Sequence, residues 1–172
     1  MSKIVNEPVT TDNEKVNINR NAIEHRATWM GLMMDEAKKA GIDLVPVARS
    51  AIQRCGCFHG LNVYKKNMKK PEDLLSFAEV FSSELTLKSF DMEIMKRTEE
   101  EFVLHFHYCP LVNAWKKQGL SDEDIDLYCD IAMDGDRKIA ASFDTFDFAL
   151  NSTIAKGNKV CEVCFLKKKN KK

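Results

Sequence analysis

The sequence predicts an α+β protein, with N-terminal helices packed on a C-terminal antiparallel sheet of about four strands that helices interrupt. Three observations predict it. Apolar residues recur at helical spacing through the first half, from Ile23 to Phe81. After Leu87 the period falls to about two: Phe90, Met92 and Ile94 alternate with polar residues, and so do Phe102, Leu104, Phe106 and Tyr108. A helical pattern then returns from Asp122 to about Ala141, ahead of two more strand-like runs, so the chain lacks the strict strand–helix alternation of a parallel sheet.

Taken in order, residues 1–19 lack hydrophobic periodicity and read as a flexible arm. Asn21 to Ala40 reads as a helix, with Ile23, Met30, Met33, Met34 and Ala37 on the apolar side, Trp29 flanking it and Gly41 as a stop. A Trp and Met stripe at this spacing reads as core rather than as a ligand pocket. A second helix is expected from Val47 to Phe58, and a third from Pro71 through Phe81. Thr98, Glu99 and Glu100 separate the two alternating runs and make them a hairpin. Pro110 ends the second strand and opens a short helix around Leu111 to Gln118. Ser121 is an N-cap followed by acidic residues, which suits the start of the long helix. Strands near Phe146–Ile154 and Val160–Leu166, with a turn at Lys156 to Asn158, complete the sheet. One domain over 20–166 is expected, closed by a basic, disordered tail over 167–172.

Composition narrows the partners. A chain of 172 residues, 44% hydrophobic, holds one core. Lys+Arg 26 balance Asp+Glu 26, so no overall field draws nucleic acid or an anionic membrane. The opening stretch has no signal-peptide pattern, and no segment reaches membrane-spanning length, so a cytoplasmic protein is expected. Six cysteines in a reducing compartment are core residues, ligands or nucleophiles rather than a disulfide framework.

Three of these cysteines fall on the C-terminal elements: Cys109 at a strand end, Cys129 in the long helix and Cys161 in the last strand. They lack the short paired intervals of a zinc ribbon. Alternation puts His105, His107 and Cys109 on one face, so His107 and Cys109 are neighbours, while Cys161 and Cys164 point to opposite faces. Ile125, Cys129 and Ala132 form an apolar stripe, and Asp136 lies two turns beyond Cys129 on nearly the same face. Asp122, Asp124, Asp126 and Asp130 read as a solvated acidic face. Cys55, Cys57 and His59 form a competing metal constellation at a helix end. Each cysteine taken alone reads as a small buried hydrophobe.

TyrCysProLeuValAsnAlaTrp, LeuTyrCysAspIleAlaMetAspGlyAspArg and SerThrIleAlaLysGlyAsnLysValCysGluValCysPhe together resemble the L-2-amino-thiazoline-4-carboxylic acid hydrolase family. HisArgAlaThrTrpMet and ArgCysGlyCysPheHisGly extend the likeness to the first half, in the manner of clostridial-type members. The family pattern maps onto Cys109, Cys129, Thr153, Gly157 and Cys161 with Glu162. The resemblance implies a substrate pocket with Thr153, Glu162 and Trp115 in its wall. Two positions depart from it: Ala132 stands where many members carry an aspartate, and Glu162 where an aspartate is usual. Asp136 is the substitute that helical geometry offers.

The family name implies ring opening of a cyclic amidine to a carbamoyl-cysteine-type product, which needs a nucleophile at the carbon between nitrogen and sulfur and an acid for the departing heteroatom. On that reading Cys109 is the nucleophile, activated by His107 or a carboxylate, Asp136 is the general acid/base, and Cys129 and Cys161 are pocket walls. A second mechanism makes Cys109, Cys129 and Cys161 ligands of Zn²⁺, with Asp136 or His107 completing the site; otherwise no cofactor is expected. A module that holds a small ligand or metal without turnover is the reading from another class. The expected partner is a small molecule, with neither nucleic acid nor membrane, and self-association stays open.

Overall fold

The computed structural model describes residues 2–169. Helix α1 runs Glu14–Lys39, starting well before Asn21 because Asn13 caps it: its side chain accepts the Val16 amide at 3.1 Å. The buried stripe is Val16, Arg20, Ile23, Ala27, Gly31 and Met34. Arg20 hides this turn from a hydrophobicity reading. Its guanidinium is buried yet donates to the carbonyls of Thr10, Lys88 and Ser89, pairs with Asp91 at 2.9 Å and lies 4.5 Å from the Tyr108 ring centre. Trp29 and Met33, expected on or beside the core face, are instead 62% and 57% exposed. Gly31 explains the choice of face, since a Cβ there would strike Gln118 and crowd Trp115.

Helix α2, Val45–His59, opens on Pro46 and runs on as a π-helical turn, Gly60–Lys65. It lies along α6 with backbones in contact: a Cβ on Gly56 would stand 2.3 Å from the Gly135 carbonyl oxygen. Helix α3, Leu74–Phe81, begins after Asp73, whose side chain caps it, rather than at Pro71. A short α4, Glu84–Ser89, capped by Ser83, follows; one and a half turns are too few to give a readable period.

The sheet comprises β1 Met92–Arg97, β2 Glu101–Phe106, β3 Phe146–Ser152 and β4 Cys161–Lys167, with α5, Pro110–Lys117, and α6, Asp122–Ala140, between β2 and β3. Its order is β1-β2-β4-β3, antiparallel throughout, as the α+β reading expects. Two cores result. An aromatic core packs Phe77, Phe81, Phe102, Phe143, Phe146 and Phe165 between α3, the end of α6 and one sheet face. A second core gathers Ile4, Ala27, Val112, Trp115, Ile125, Ile131 and Ile154 around Cys109, Cys129 and Cys161. Among the described residues no helix is long and apolar enough to cross a membrane.

Within the arm expected over 1–19, the described residues 2–19 are held to the rest of the protein. Ile4 and Asn6 are 3% and 2% exposed, and residues 14–19 belong to α1. Side chains from distant elements anchor the segment, a kind of support that leaves no periodic trace in the sequence. At the other end Lys167 closes β4 and the Lys168 amide bonds Thr145, so the expected tail starts inside the structure; residues 170–172 lie outside the described residues.

Candidate functional site around Cys129

Helix α6 carries the site. Ser121 caps it, the acidic first turn suits the helix N-terminus, and Ile125, Tyr128, Cys129 and Ile131 face inward. Cys109, at the N-cap of α5, and Cys161, the first residue of β4, meet Cys129 in one core. Cys129 also lines a cavity of about 150 Å³, to which neither Cys109 nor Cys161 contributes. Asp126, Asp130 and Arg137 of α6 form its floor with Cys129; Leu150 to Thr153, at the end of β3, form one wall, and Lys156 and Asn158 the other.

The walls are built by local hydrogen bonding. The Thr153 side chain accepts the Lys156 amide at 3.3 Å and opens a 3₁₀ turn, Ile154–Lys156, which Gly157 ends at φ +83°, a conformation that suits glycine. The Ile154 amide donates to Cys161 Sγ at 3.2 Å, so this thiol ties the turn to β4. Ser152 Oγ donates to the Val160 carbonyl at 2.8 Å and closes the loop.

Charge is arranged in two ways. Arg49 and Arg137 bracket Asp130 and Asp134, with contacts of 2.6 and 3.1 Å from Arg49 and 2.7 and 2.6 Å from Arg137. Burial opposes ionisation of both carboxyls, but the two guanidiniums outweigh it and hold them below the usual carboxylate range. By contrast, the side chains of Asp126 and Lys156 face the same cavity and make no hydrogen bond or ion pair among the described residues. Among the described residues the cavity therefore offers one free carboxylate, one free ammonium and a thiol.

Burial pushes all three thiols up: Cys129 well above its ordinary value, with Cys109 and Cys161 adding to the effect, Cys161 to about 12, and Cys109 despite the nearby Leu111 and Val112 amides. A thiolate at neutral pH therefore needs a base beside it.

The expected site is brought together only in part. Cys109, Cys129 and Cys161 converge, and Thr153 lines the cavity with Cys129. Asp136 does not line that cavity. It is half-buried on the side of Arg26, Tyr64 and Cys109, where burial pushes its carboxyl up to about 6 against the pull of Arg26 and Arg137. His107 is exposed and reaches Glu93 at 3.4 Å; β2 stops at Phe106, so the alternation that made His107 a neighbour of Cys109 ends before either residue. Glu162 points to the outer sheet face, accepting from Asn151 at 2.6 Å and bonding His105 at 2.9 Å. Trp115 is fully buried core: its indole N–H donates to the Ala27 carbonyl at 2.9 Å and its ring meets Tyr128 edge-on. Cys55, Cys57 and His59 are exposed on α2. Among the described residues no group of three or more His, Cys, Asp and Glu side chains is arranged to hold a metal ion, the three thiols included.

Residues that sequence reasoning passed over are Asp126, Arg137, Asn151, Lys156 and Asn158. Asp126 had a signal, since it precedes Cys129 by three positions and so shares its face. Lys156 and Asn158 reach the cavity only through the geometry of the turn.

The comparisons agree with this architecture. No curated protein matches the chain at a significant level. Among solved structures, a trafficking protein particle complex subunit 3 from Naegleria fowleri, covalently bound to palmitic acid, superposes with a TM-score of 0.56 at 14% identity. The alignment covers 89% of this chain and 97% of that one, a likeness of fold. The model of the L-2-amino-thiazoline-4-carboxylic acid hydrolase family matches residues 20–165, every element from α1 into β4. On the extent of that match, the chain belongs to the L-2-amino-thiazoline-4-carboxylic acid hydrolase family.

Proposed function

We propose that this protein hydrolyses a small, zwitterionic cyclic amidine of the 2-amino-thiazoline-4-carboxylate class in the cavity beside Cys129. One observation carries the reading: a thiol, with a carboxylate and an ammonium that are unpaired among the described residues, shares a cavity of about 150 Å³, smaller than a pocket for a drug-sized ligand and suited to a small one. Lys156 binds the substrate carboxylate, with Asn158 at its side, and Asp126 faces the amidinium.

Cys129 takes the nucleophile's role expected of Cys109, because Cys109 does not line the cavity. Asp126, one turn earlier on the helix, accepts the Cys129 proton as Sγ bonds to the amidine carbon. The bond from that carbon to the ring sulfur breaks, and the departing sulfur takes the proton back from Asp126. Water then attacks the same carbon and gives its proton to Asp126; the bond to Cys129 breaks, the thiol is restored, and a carbamoyl group remains. The net reaction consumes one water. The Arg49 and Arg137 pairs with Asp130 and Asp134 hold α6 in place beneath these groups.

Incubation with L-2-amino-thiazoline-4-carboxylate, followed by mass spectrometry and titration of newly formed thiol, tests the reading. The expected result is a carbamoyl product one water heavier than the substrate, with kcat lowered at least ~100-fold in Cys129→Ser and KM raised in Lys156→Met. Turnover undiminished in Cys129→Ser would overturn it.

A second reading, a binding module without turnover, is favoured by the raised thiols, none of which is a ready thiolate. The trafficking-particle subunit that shares the fold is covalently bound to palmitic acid. Tight retention of a ligand through gel filtration, with no product from thiazolines, hydantoins or cyclic ureas, would select this reading.

A further inference from the structure

The opening segment lies as a strap across the back of the thiol core. Its first end is tied to the start of α6, where Ser2 Oγ and the Lys3 amide donate to Asp122 at 2.6 and 2.9 Å. Its other end is tied to the corner before β1, where the Val9 and Thr10 amides donate to Asp91 at 2.8 and 3.2 Å. Between these ties Ile4 is buried in the core that holds Cys109 and Cys161, its carbonyl accepts Lys116 Nζ at 3.0 Å, and the Lys3 stem lies over Gly157.

Asn6 sits at the middle of the strap and is 2% exposed. The residues just after β2 still find backbone partners, since the His107 and Tyr108 amides donate to Asp91 and Phe90. At Cys109 that pairing has run out. The Asn6 carboxamide takes over, accepting the Cys109 amide at 2.8 Å and donating to the Cys109 carbonyl at 2.9 Å. A primary amide presents the same donor and acceptor as a neighbouring strand, so one side chain satisfies the Cys109 amide and adds a second donor to its carbonyl, which also accepts the Asn113 amide at 3.0 Å as the first bond of α5.

We propose that Asn6 is a positioning residue for the thiol core: its carboxamide stands in for a strand and fixes the Cys109 backbone, and the strap around it shields Cys109 and Cys161 from solutes. Fixing Cys109 fixes the start of α5 and, through the packed thiols, the place of Cys129 Sγ. The effect on turnover rests on the hydrolase reading above; the shielding does not.

Iodoacetamide labelling of the native protein, read cysteine by cysteine by peptide mass spectrometry, separates the two. Exposed Cys55 and Cys57 serve as internal standards. In Asn6→Ala, labelling of Cys109 is expected to rise at least ~10-fold relative to Cys55, with kcat lowered and KM unchanged. Asn6→Asp, which keeps the acceptor for the Cys109 amide and loses the donor, should fall between. A folded Asn6→Ala protein whose Cys109 labels at the wild-type rate overturns the proposal. Should that variant not fold, Lys116→Met decides: releasing the Ile4 carbonyl is expected to speed Cys109 and Cys161 labelling, and unchanged protection sinks the idea. If Cys129→Ser keeps full turnover, the hydrolase reading fails while the labelling result still stands or falls by itself.

Discussion

The two cores of this protein are built from different materials. One is a close-packed set of phenylalanines: Phe77 lies 4.7 Å from Phe165, 5.0 Å from Phe146 and 5.3 Å from Phe143, centre to centre, with no thiol or charge among the buried members. The other mixes mostly aliphatic residues with Trp115, Tyr128 and three cysteines, is bounded by the Asn6 strap and opens on a charged cavity. Helix α6 passes through both, contributing Ile125, Cys129 and Ile131 to the second and Ile139 and Ala140 to the first. Both cores bury apolar side chains to a similar extent, and what sets the second apart is that its apolar packing also holds three thiols next to a charged cavity.

The largest test of that division is Phe77→Ala. Removing a fully buried ring that touches five other aromatic rings leaves a void that the rigid sheet cannot fill, at a cost of about 3–5 kcal/mol. Chemical denaturation should show a shifted midpoint, while KM of the protein that remains folded stays at its wild-type value. A loss below ~1 kcal/mol would mean that the aromatic core is not the main support. Cys129→Ser should show the reverse pattern, with turnover lost and a denaturation midpoint shifted by no more than ~1–2 kcal/mol.

Next in size is the ion-pair group under the cavity. Asp134→Ala removes the partner of Arg49, Arg137 and Gln53 at once, from a side chain only 8% exposed, and should cost about 2–3 kcal/mol. The pH sign follows from the direction of the shift. The Asp130 and Asp134 carboxyls are held below their unfolded value, so their contribution is complete above that value and is lost as pH falls through the folded one. Wild type and Asp134→Ala should therefore converge in stability as the solution is acidified below about pH 4. A gap that stays constant to pH 2 would mean that the cost is packing and not charge.

The aromatic core was legible in the sequence and the thiol core only in outline, for physical reasons. Phe102, Leu104, Val163 and Phe165 declare themselves by alternation, and Phe77 and Phe81 by helical spacing, because burial by periodic elements leaves a periodic trace. The convergence of Cys109, Cys129 and Cys161 came from the family resemblance. What stayed hidden depends on individual polar contacts that follow no period: Asn6 on Cys109, Arg20 on the carbonyls of Lys88 and Ser89, the Ile154 amide on Cys161. His107 was misplaced because β2 ends at Phe106, and Trp115 because an indole satisfied by the Ala27 carbonyl has the same sequence signature as one that faces a ligand. Asp126 was discounted as one of a solvated acidic set, although its spacing to Cys129 held the information.

The smallest expected effect concerns the charge that the thiol core keeps on its other side. Burial raises the Asp136 carboxyl to about 6, above its unfolded value near 3.8, so folding favours the protonated form. Stability from this group is complete below about pH 4 and is lost as pH rises through 6, which makes ionised Asp136 a net cost at neutral pH. Asp136→Asn should therefore be more stable than wild type by ~1–2 kcal/mol at pH 8, and the gain should vanish by pH 4. The same variant separates the two sides of α6: with Asp126 as the base, turnover at pH 8 survives the substitution, whereas a loss of ~100-fold would move the acid/base role to Asp136 and make Cys109, on the Asp136 side, the thiol to test next.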